Sequence, residues 1–100
     1  MTLTLRTLRA ASEEFAAAVA WYEEQRPGLG ADFFDEVGET TARILAYPEI
    51  GTPISPDKRT RRLLVSRFPY QVVYRLRDNE IIVVAVAHLN RRPDYWKGRI

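Results

Sequence analysis

The spacing of hydrophobic positions changes twice along the chain. Leu3 to Leu8 alternates apolar and polar residues, as a short strand does. Residues 12–46 repeat apolar side chains at intervals of three and four, which is typical of amphipathic helices. From residue 61 onward, β-branched residues and arginines predict three strands, over 61–65, 70–76 and 81–88. The predicted order is β-α-α-β-β-β.

Two helices are expected in the middle of this order. The first should begin at Ser12, an N-cap residue followed by acidic residues that complement the helix dipole. It should end before Arg26-Pro27-Gly28, because proline disfavours helical geometry in the residue before it. The second is predicted over Gly30 to Ala46. The expected buried stripes are Phe15, Val19 and Tyr22 in the first helix, and Phe34, Val37, Thr41, Ile44 and Leu45 in the second.

The last two predicted strands form a hairpin through a turn at Asp78-Asn79. The expected register pairs Arg77 with Glu80, Arg75 with Ile82, Val73 with Val84 and Gln71 with Val86. One face should then be apolar and pack on the helices, with Tyr70, Val72, Tyr74, Leu76, Ile81, Val83, Ala85 and Ala87. The other face, which includes Arg75, Arg77 and His88, should face a partner. The prediction is an α+β domain over residues 1–100, with two antiparallel helices on one face of a small, mostly antiparallel sheet.

The composition excludes several classes of functional site. The chain has 100 residues, no cysteine and a single histidine, so thiolate sites are excluded and no metal or other cofactor is expected. There is no apolar run of membrane-spanning length and no hydrophobic signal-peptide region at the N-terminus. We therefore expect a cytoplasmic protein with no membrane partner.

Charge is distributed unevenly between the two halves. Residues 1–50 contain four basic and nine acidic residues, whereas residues 51–100 contain eleven basic and four acidic residues. A basic half favours a polyanionic partner, either nucleic acid or an acidic protein segment. The alternative is that these charged side chains are simply solvated by water and bind no partner.

Several short motifs together resemble the RelE/ParE superfamily of toxins from type II toxin-antitoxin systems, including those of the plasmid-stabilisation type. In chain order they are Trp21-Tyr22-Glu23, Gly28-Leu29-Gly30, Phe33-Phe34, Pro48, Gly51, Arg61-Arg62, Phe68-Pro69-Tyr70, Tyr74, His88, Arg91, Arg92-Pro93 and Tyr95-Trp96. The resemblance implies a growth-inhibiting toxin that is neutralised by a cognate antitoxin. It also implies that operator DNA is bound only through that antitoxin.

The resemblance leaves three activities open. ParE-like members inhibit DNA gyrase by binding, and this is the interpretation we favour. RelE-like members cleave messenger RNA on the ribosome without a metal, so the chain is an enzyme only in this second case. The third alternative is a binding module that complexes its antitoxin without being toxic itself.

Candidate site residues follow from matching the chain to the nuclease branch. A metal-free ribonuclease needs an acid, a base and cations around the phosphate. The candidates for these catalytic roles are Arg62, His88, Arg91 and Tyr95. Leu64 and Gln71 stand where that branch carries a lysine and an arginine, which favours gyrase binding. The partner-binding residues are predicted to be Arg61, Arg62, Arg75, Arg77, Arg91, Arg92 and Trp96.

Each candidate also has a purely structural interpretation. His88 ends a strand, where a hydrogen-bonded structural role is common for histidine. Tyr95 and Trp96 are equally suited to covering the edge of the sheet.

Overall fold

The computed structural model describes residues 3–100 and shows two helices on one face of a five-stranded sheet. Met1 and Thr2 lie outside the described residues. The elements are β1 (Thr4–Thr7), α1 (Arg9–Gln25), α2 (Leu29–Ala46), β2 (Thr52–Pro53), β3 (Thr60–Leu64), β4 (Tyr70–Arg77), β5 (Glu80–His88) and a 3-10 helix over Lys97–Arg99. The predicted α+β class and the order β-α-α-β-β-β are confirmed. The two-residue strand β2 is an addition in a segment expected to be a loop.

The strands lie in the order β1-β5-β4-β3-β2, so β1 and β2 form the edges. β1 runs parallel to β5, and the other neighbouring pairs are antiparallel. The parallel pair is possible because the two helices carry the chain over the sheet between β1 and the later strands. The longest strands, β4 and β5, are therefore central, and seven consecutive residues of β5 are buried.

Helix α1 begins earlier than its sequence predicts. Ser12 is not the N-cap, because its N–H donates to the carbonyl of Leu8 within the helix. Leu8 itself donates its N–H to the Val83 carbonyl, so the helix begins directly where β1 leaves β5. Pairing with the sheet thus sets the start of the helix. The predicted end is confirmed, since α1 ends at Gln25.

The connection between the helices is held by a side chain of α1. The Glu23 carboxylate accepts hydrogen bonds from the N–H groups of Gly28 and Gly30, at 3.0 to 3.1 Å. These N–H groups lie at the start of α2, where backbone N–H groups have no acceptor within the helix. Gly28 adopts a φ of 90°, a left-handed conformation that favours glycine.

The buried stripe of α2 is partly different from the predicted one. Phe33 is fully buried, whereas Phe34 and Leu45 are exposed. Val37 and Ile44 are buried as expected, and Thr40 takes the place predicted for Thr41. Phe33 contacts the rings of Tyr22, Phe68 and Tyr70, so one aromatic cluster joins α1, α2 and the sheet. The packing of this cluster fixes the rotation of α2.

Candidate functional site

A β-bulge in the hairpin decides which residues share a face of the sheet. The predicted register holds from Arg77 with Glu80 to Arg75 with Ile82, and then fails. Tyr74 pairs with Val83 but Val73 pairs with Ala85, so Val84 is an extra residue in β5. The predicted partners of Val73 and Gln71 are therefore wrong by one residue.

The bulge exchanges the two faces at the end of β5. Val86 packs in the core beneath the helices, whereas Ala85 and Ala87 pack on the opposite face, which we call the outer face. The sequence predicts the reverse, because strict alternation continues through a hairpin without a bulge. His88 follows Val86 and pairs with Tyr70, so it lies on the helix side and not on the outer face.

Three of the four catalytic candidates line one cavity on the outer face. Arg62, Arg91 and Tyr95 surround about 280 Å³ of space, and we call this the outer cavity. Its remaining lining residues are Ile54, Gln71, Ala87, Leu89, Arg92, Pro93, Asp94 and Trp96. His88 is absent from this lining. It borders a separate cleft on the helix side with Trp21 and Tyr70, which Arg91 also reaches.

The hydroxyl of Tyr95 is already engaged inside the protein. It donates a hydrogen bond of 2.7 Å to a carboxylate oxygen of Glu14. Burial and the neighbouring Glu14 carboxylate raise the pKa of Tyr95 far above its usual range. The Arg91 guanidinium lies 3.9 Å from the centre of the Tyr95 ring, in a cation–π contact. Tyr95 is thus a protonated donor at neutral pH, and its ring positions Arg91.

Arg62 is an exposed cation of the outer cavity. Its guanidinium donates a hydrogen bond of 3.3 Å to the Gln71 side-chain oxygen, and both groups are solvent-facing. Leu64 lies two residues further along β3, so it projects from the same face as Arg62. Leu64 is exposed and apolar. The outer face thus carries neutral side chains at Leu64 and Gln71, two of the positions at which the resemblance implies cations in the nuclease branch.

Glu14 and Arg99 are important residues that the sequence analysis did not single out. Beyond the end of β1, the Val86 N–H donates to Glu14, and Arg99 donates to the Val84 carbonyl. Two side chains therefore occupy the hydrogen-bonding positions that a longer β1 would fill. Arg99 also donates to both carboxylate oxygens of Glu14 at 3.0 Å. A separation of 85 residues along the chain leaves no local signal for this pair.

The charge of Glu14 is stabilised in this position. Burial is the largest effect on its carboxyl and opposes ionisation. Hydrogen bonds from Arg99, Tyr95 and the Val86 N–H together outweigh burial, so the pKa of Glu14 is lowered. The same contact raises the pKa of Arg99, so both pKa shifts favour the charged forms of Glu14 and Arg99.

A family comparison now identifies the chain. The model for "ParE toxin of type II toxin-antitoxin system, parDE" matches residues 5–93. The chain belongs to this ParE toxin family. The match includes β1 from Leu5 onward, both helices, the other four strands and the outer-face residues up to Pro93.

A solved structure shares the fold of this ParE family member. It is described as "Chromosomal ParDE TA system from P. aeruginosa" and superimposes with a TM-score of 0.74. The similarity covers 87% of this chain and 96% of that chain, at 18% sequence identity. No curated protein matches the chain. At this identity the structural likeness concerns the fold alone.

The residues predicted to bind a partner lie in three different places in this ParE family member. Arg62, Arg91 and Arg92 line the outer cavity, and Trp96 beneath them is only 5% exposed. Arg75 and Arg77 lie at the other end of β4. Arg61 lies on the helix side, because it pairs with the core residue Tyr74. The guanidinium of Arg61 donates to the carbonyls of Glu49 and Gly51, so it holds a loop.

The outer face is not an open surface, because residues 93–100 cross it. Trp96 packs on Val73, Ile82 and Ala85 in a second apolar cluster, and Tyr95 borders the same cluster. Tyr95 and Trp96 therefore have a structural role, but they cover the outer face over the central strands β4 and β5 and not the expected edge of the sheet. The cations exposed around this segment remain available to a partner.

An apolar groove lies at the opposite edge of the sheet, beside β1. Leu5, Phe15 and Phe34 line it together with Thr7, Val37, Gly38, Thr41, Val83 and Val86, around about 250 Å³. We call it the edge groove. Phe34 is 55% exposed, and its ring stacks on Phe15 with centroids 5.4 Å apart. This exposed aromatic pair was not among the predicted site residues.

Within residues 3–100, no group of three or more His, Asp or Glu side chains is arranged to hold a metal ion. None of the helices in this range is long and apolar enough to span a membrane.

Proposed function

We propose that this chain is the growth-inhibiting toxin of a type II toxin-antitoxin pair, and that it acts by binding DNA gyrase. The separation of His88 from Arg62 and Tyr95, which line a different cavity, is the observation that supports binding over RNA cleavage. Cleavage at a 2′-hydroxyl requires the base, the acid and the cations around one phosphate. The engaged hydroxyl of Tyr95 and the neutral residues Leu64 and Gln71 support the same choice.

Induced expression without antitoxin tests the target. The expected result is growth arrest with a DNA-damage response and intact transcripts, together with inhibition of supercoiling by purified gyrase. Supercoiling that is unaffected by excess toxin would contradict the proposal. Arrest with cleaved transcripts would support the nuclease alternative, and no arrest would support the non-toxic binding module.

A pair of variants separates contact residues from catalytic ones. Arg91→Ala and Tyr95→Phe each remove a group of the outer cavity. If the cavity only contacts gyrase, Tyr95→Phe keeps the ring under Arg91 and retains most of the inhibition, whereas Arg91→Ala weakens it. A loss of transcript cleavage in both variants would instead identify a nuclease.

We also propose that the antitoxin partner binds at the edge groove. The N–H groups of Thr4 and of Leu8, which follows β1, donate to carbonyls of Asn79 and Val83. Because backbone groups alternate in direction along a strand, those of Leu5 and Thr7 face away from β5, at the free edge of the sheet. An extended antitoxin segment can pair with this edge and place alternate apolar side chains against Phe15 and Phe34. The outer face is less suitable, since residues 93–100 already cover its apolar centre.

Phe34→Asp tests the position of the antitoxin. The substitution places a charge in the groove without disturbing the core, because Phe34 is largely exposed. We expect antitoxin affinity to fall at least tenfold, as for the loss of an interface aromatic worth about 2 kcal/mol. The matched control is Tyr47→Asp, another exposed aromatic, outside the groove. Equal affinities for Phe34→Asp and wild type would place the antitoxin elsewhere.

A further inference from the structure

A second cluster of arginines lies on the outer face, at the end of β4 opposite the outer cavity. Arg59, Arg75 and Arg77 line a cleft of about 590 Å³, together with Asp57, Asp78 and Ile100. We call it the arginine cleft. Its position on the sheet differs from that of the edge groove and of the outer cavity. Neither gyrase binding nor antitoxin binding, as proposed above, uses it.

One arginine of this cleft is neutralised by an internal ion pair. The Asp57 carboxylate accepts hydrogen bonds from Arg75 at 2.7 Å, from the Ser55 hydroxyl at 2.6 Å and from the Arg59 backbone N–H at 3.0 Å. These bonds, with that of Arg75 the strongest, lower the pKa of Asp57 well below its usual range. Arg75 also donates to the Thr60 hydroxyl. Asp57 therefore remains ionised, and its negative charge neutralises that of Arg75.

The other two arginines are less tightly engaged, although Arg77 pairs with Glu80 across the hairpin and helps to lower the pKa of that carboxyl. Neither Arg59 nor Arg77 forms an ion pair with any carboxylate of residues 3–100. Asp78 is the remaining acidic residue of the cleft, so cations are in excess there. Arginines without an internal partner can bind phosphate oxygens through two parallel hydrogen bonds.

The two basic ends of the outer face are spaced like the walls of a DNA groove. Arg62 pairs with Val73, and Arg77 lies four residues further along β4 on the same face. At about 3.3 Å per residue along the strand and about 4.8 Å between β3 and β4, Arg62 and Arg77 are about 14 Å apart along the sheet. The major groove of B-DNA is about 12 Å wide, so Arg62 and Arg77 can contact phosphates on its two sides.

The lining of the arginine cleft favours nucleic acid over an acidic peptide. Arginine clusters can bind acidic or phosphorylated peptides as well as nucleic acid, but the apolar pockets and the open strand edge that hold most peptides belong to the edge groove. The arginine cleft contains only charged side chains and Ile100. Contacts to the DNA backbone need cations alone and carry no sequence information.

We propose that Arg59 and Arg77, with Arg62 at the other end of the outer face, bind the phosphate backbone of double-stranded DNA without regard to sequence. This sequence-independent contact is made by the chain itself, whereas the family resemblance leaves recognition of the operator sequence to the antitoxin. This goes beyond gyrase binding, since a toxin can inhibit the enzyme without contacting DNA itself.

The experiment measures binding of the purified full chain to two unrelated duplexes of about 30 base pairs, by fluorescence anisotropy between about 50 and 200 mM salt. We expect equal affinity for both sequences. In the double variant Arg59→Ala/Arg77→Ala, the slope of log K against log salt should decrease by roughly two, because about 0.9 counterions are released per phosphate contact. Circular dichroism checks that the variant is folded.

The matched control is Arg26→Ala/Arg43→Ala, which removes the same charge from two exposed arginines of the helical layer. Its salt slope should remain near that of the wild type. An equal change of slope in both double variants, a clear sequence preference, or no wild-type binding at the lower salt would each overturn the proposal. A supercoiling assay is run separately. Failure there contradicts gyrase binding and leaves the DNA contact standing.

Discussion

Glu14 links three parts of the molecule, since it binds Arg99, Tyr95 and the backbone of β5. Glu14→Gln keeps the size of the side chain but leaves the poorly exposed Arg99 without its counter-charge. We expect the free energy of unfolding to fall by about 1.5–3 kcal/mol, the range for hydrogen bonds to charged groups. Urea unfolding at pH 7 measures it. Glu13→Gln, an exposed neighbour, is the control and should change stability by less than about 0.5 kcal/mol.

The same residue predicts a pH dependence. The pKa of Glu14 is lower in the folded protein than its ordinary value of 4.5, so its stabilising effect is complete above that value. The effect is lost as the pH falls through the folded-state pKa. The difference between wild type and Glu14→Gln should therefore be largest at pH 7 and smaller near pH 3. An undiminished difference near pH 3 would contradict this account.

Tyr74 fixes the loop before β2 through its hydroxyl, which donates to the Pro48 carbonyl at 2.7 Å and accepts from the Gly51 N–H at 2.9 Å. Tyr74→Phe leaves both groups without this partner in a buried place. The expected loss is about 1–3 kcal/mol of unfolding free energy. The control is Tyr47→Phe, in which the tyrosine is 69% exposed, and it should leave the urea midpoint unchanged. Equal midpoints for the two variants would show that the loop is not held in this way.

At the scale of elements, the contact between α1 and α2 depends on Gly30. A Cβ at this position would lie 2.6 Å from the Val19 carbonyl oxygen, so Gly30→Ala must push the helices apart. We expect a loss of about 1–3 kcal/mol in chemical unfolding. Gly38→Ala is the matched control in the same helix, because nothing lies within 4 Å of its added Cβ. It should stabilise the protein by up to about 1 kcal/mol. Destabilisation by both substitutions would show that the loss at Gly30 is not specific to its contact with α1, because helix propensity alone favours alanine over glycine.

Element types could be predicted from the sequence, whereas the boundaries and faces depended on contacts. The start of α1 is set by the pairing of Leu8 with Val83, far along the chain. The helical periodicity allows either Phe33 or Phe34 to belong to the buried stripe of α2. Only packing in the aromatic cluster places Phe33 in the core. The bulge at Val84 inverts the end of β5, and no residue there signals it.

At the scale of the whole molecule, the two halves of opposite charge predict how association with the antitoxin responds to salt. Charges on an exposed surface attract a partner over about 8 Å at physiological ionic strength and over less at higher salt. We expect the association rate with an acidic antitoxin segment to fall several-fold between about 50 and 500 mM salt, measured by stopped flow. A rate independent of salt would show that the apolar edge groove alone drives the encounter.

The sequence by itself determined the α+β class, the order of the main elements, the ParE-type family and the charge of each half. These properties follow from local periodicity, short motifs and composition, which act over a few residues. Only the tertiary structure decided the site. It separated His88 from Arg62, joined Glu14 to Arg99, and laid Trp96 across the outer face. Each of these depends on register and packing between distant segments, which a one-residue bulge can invert while the local pattern stays the same.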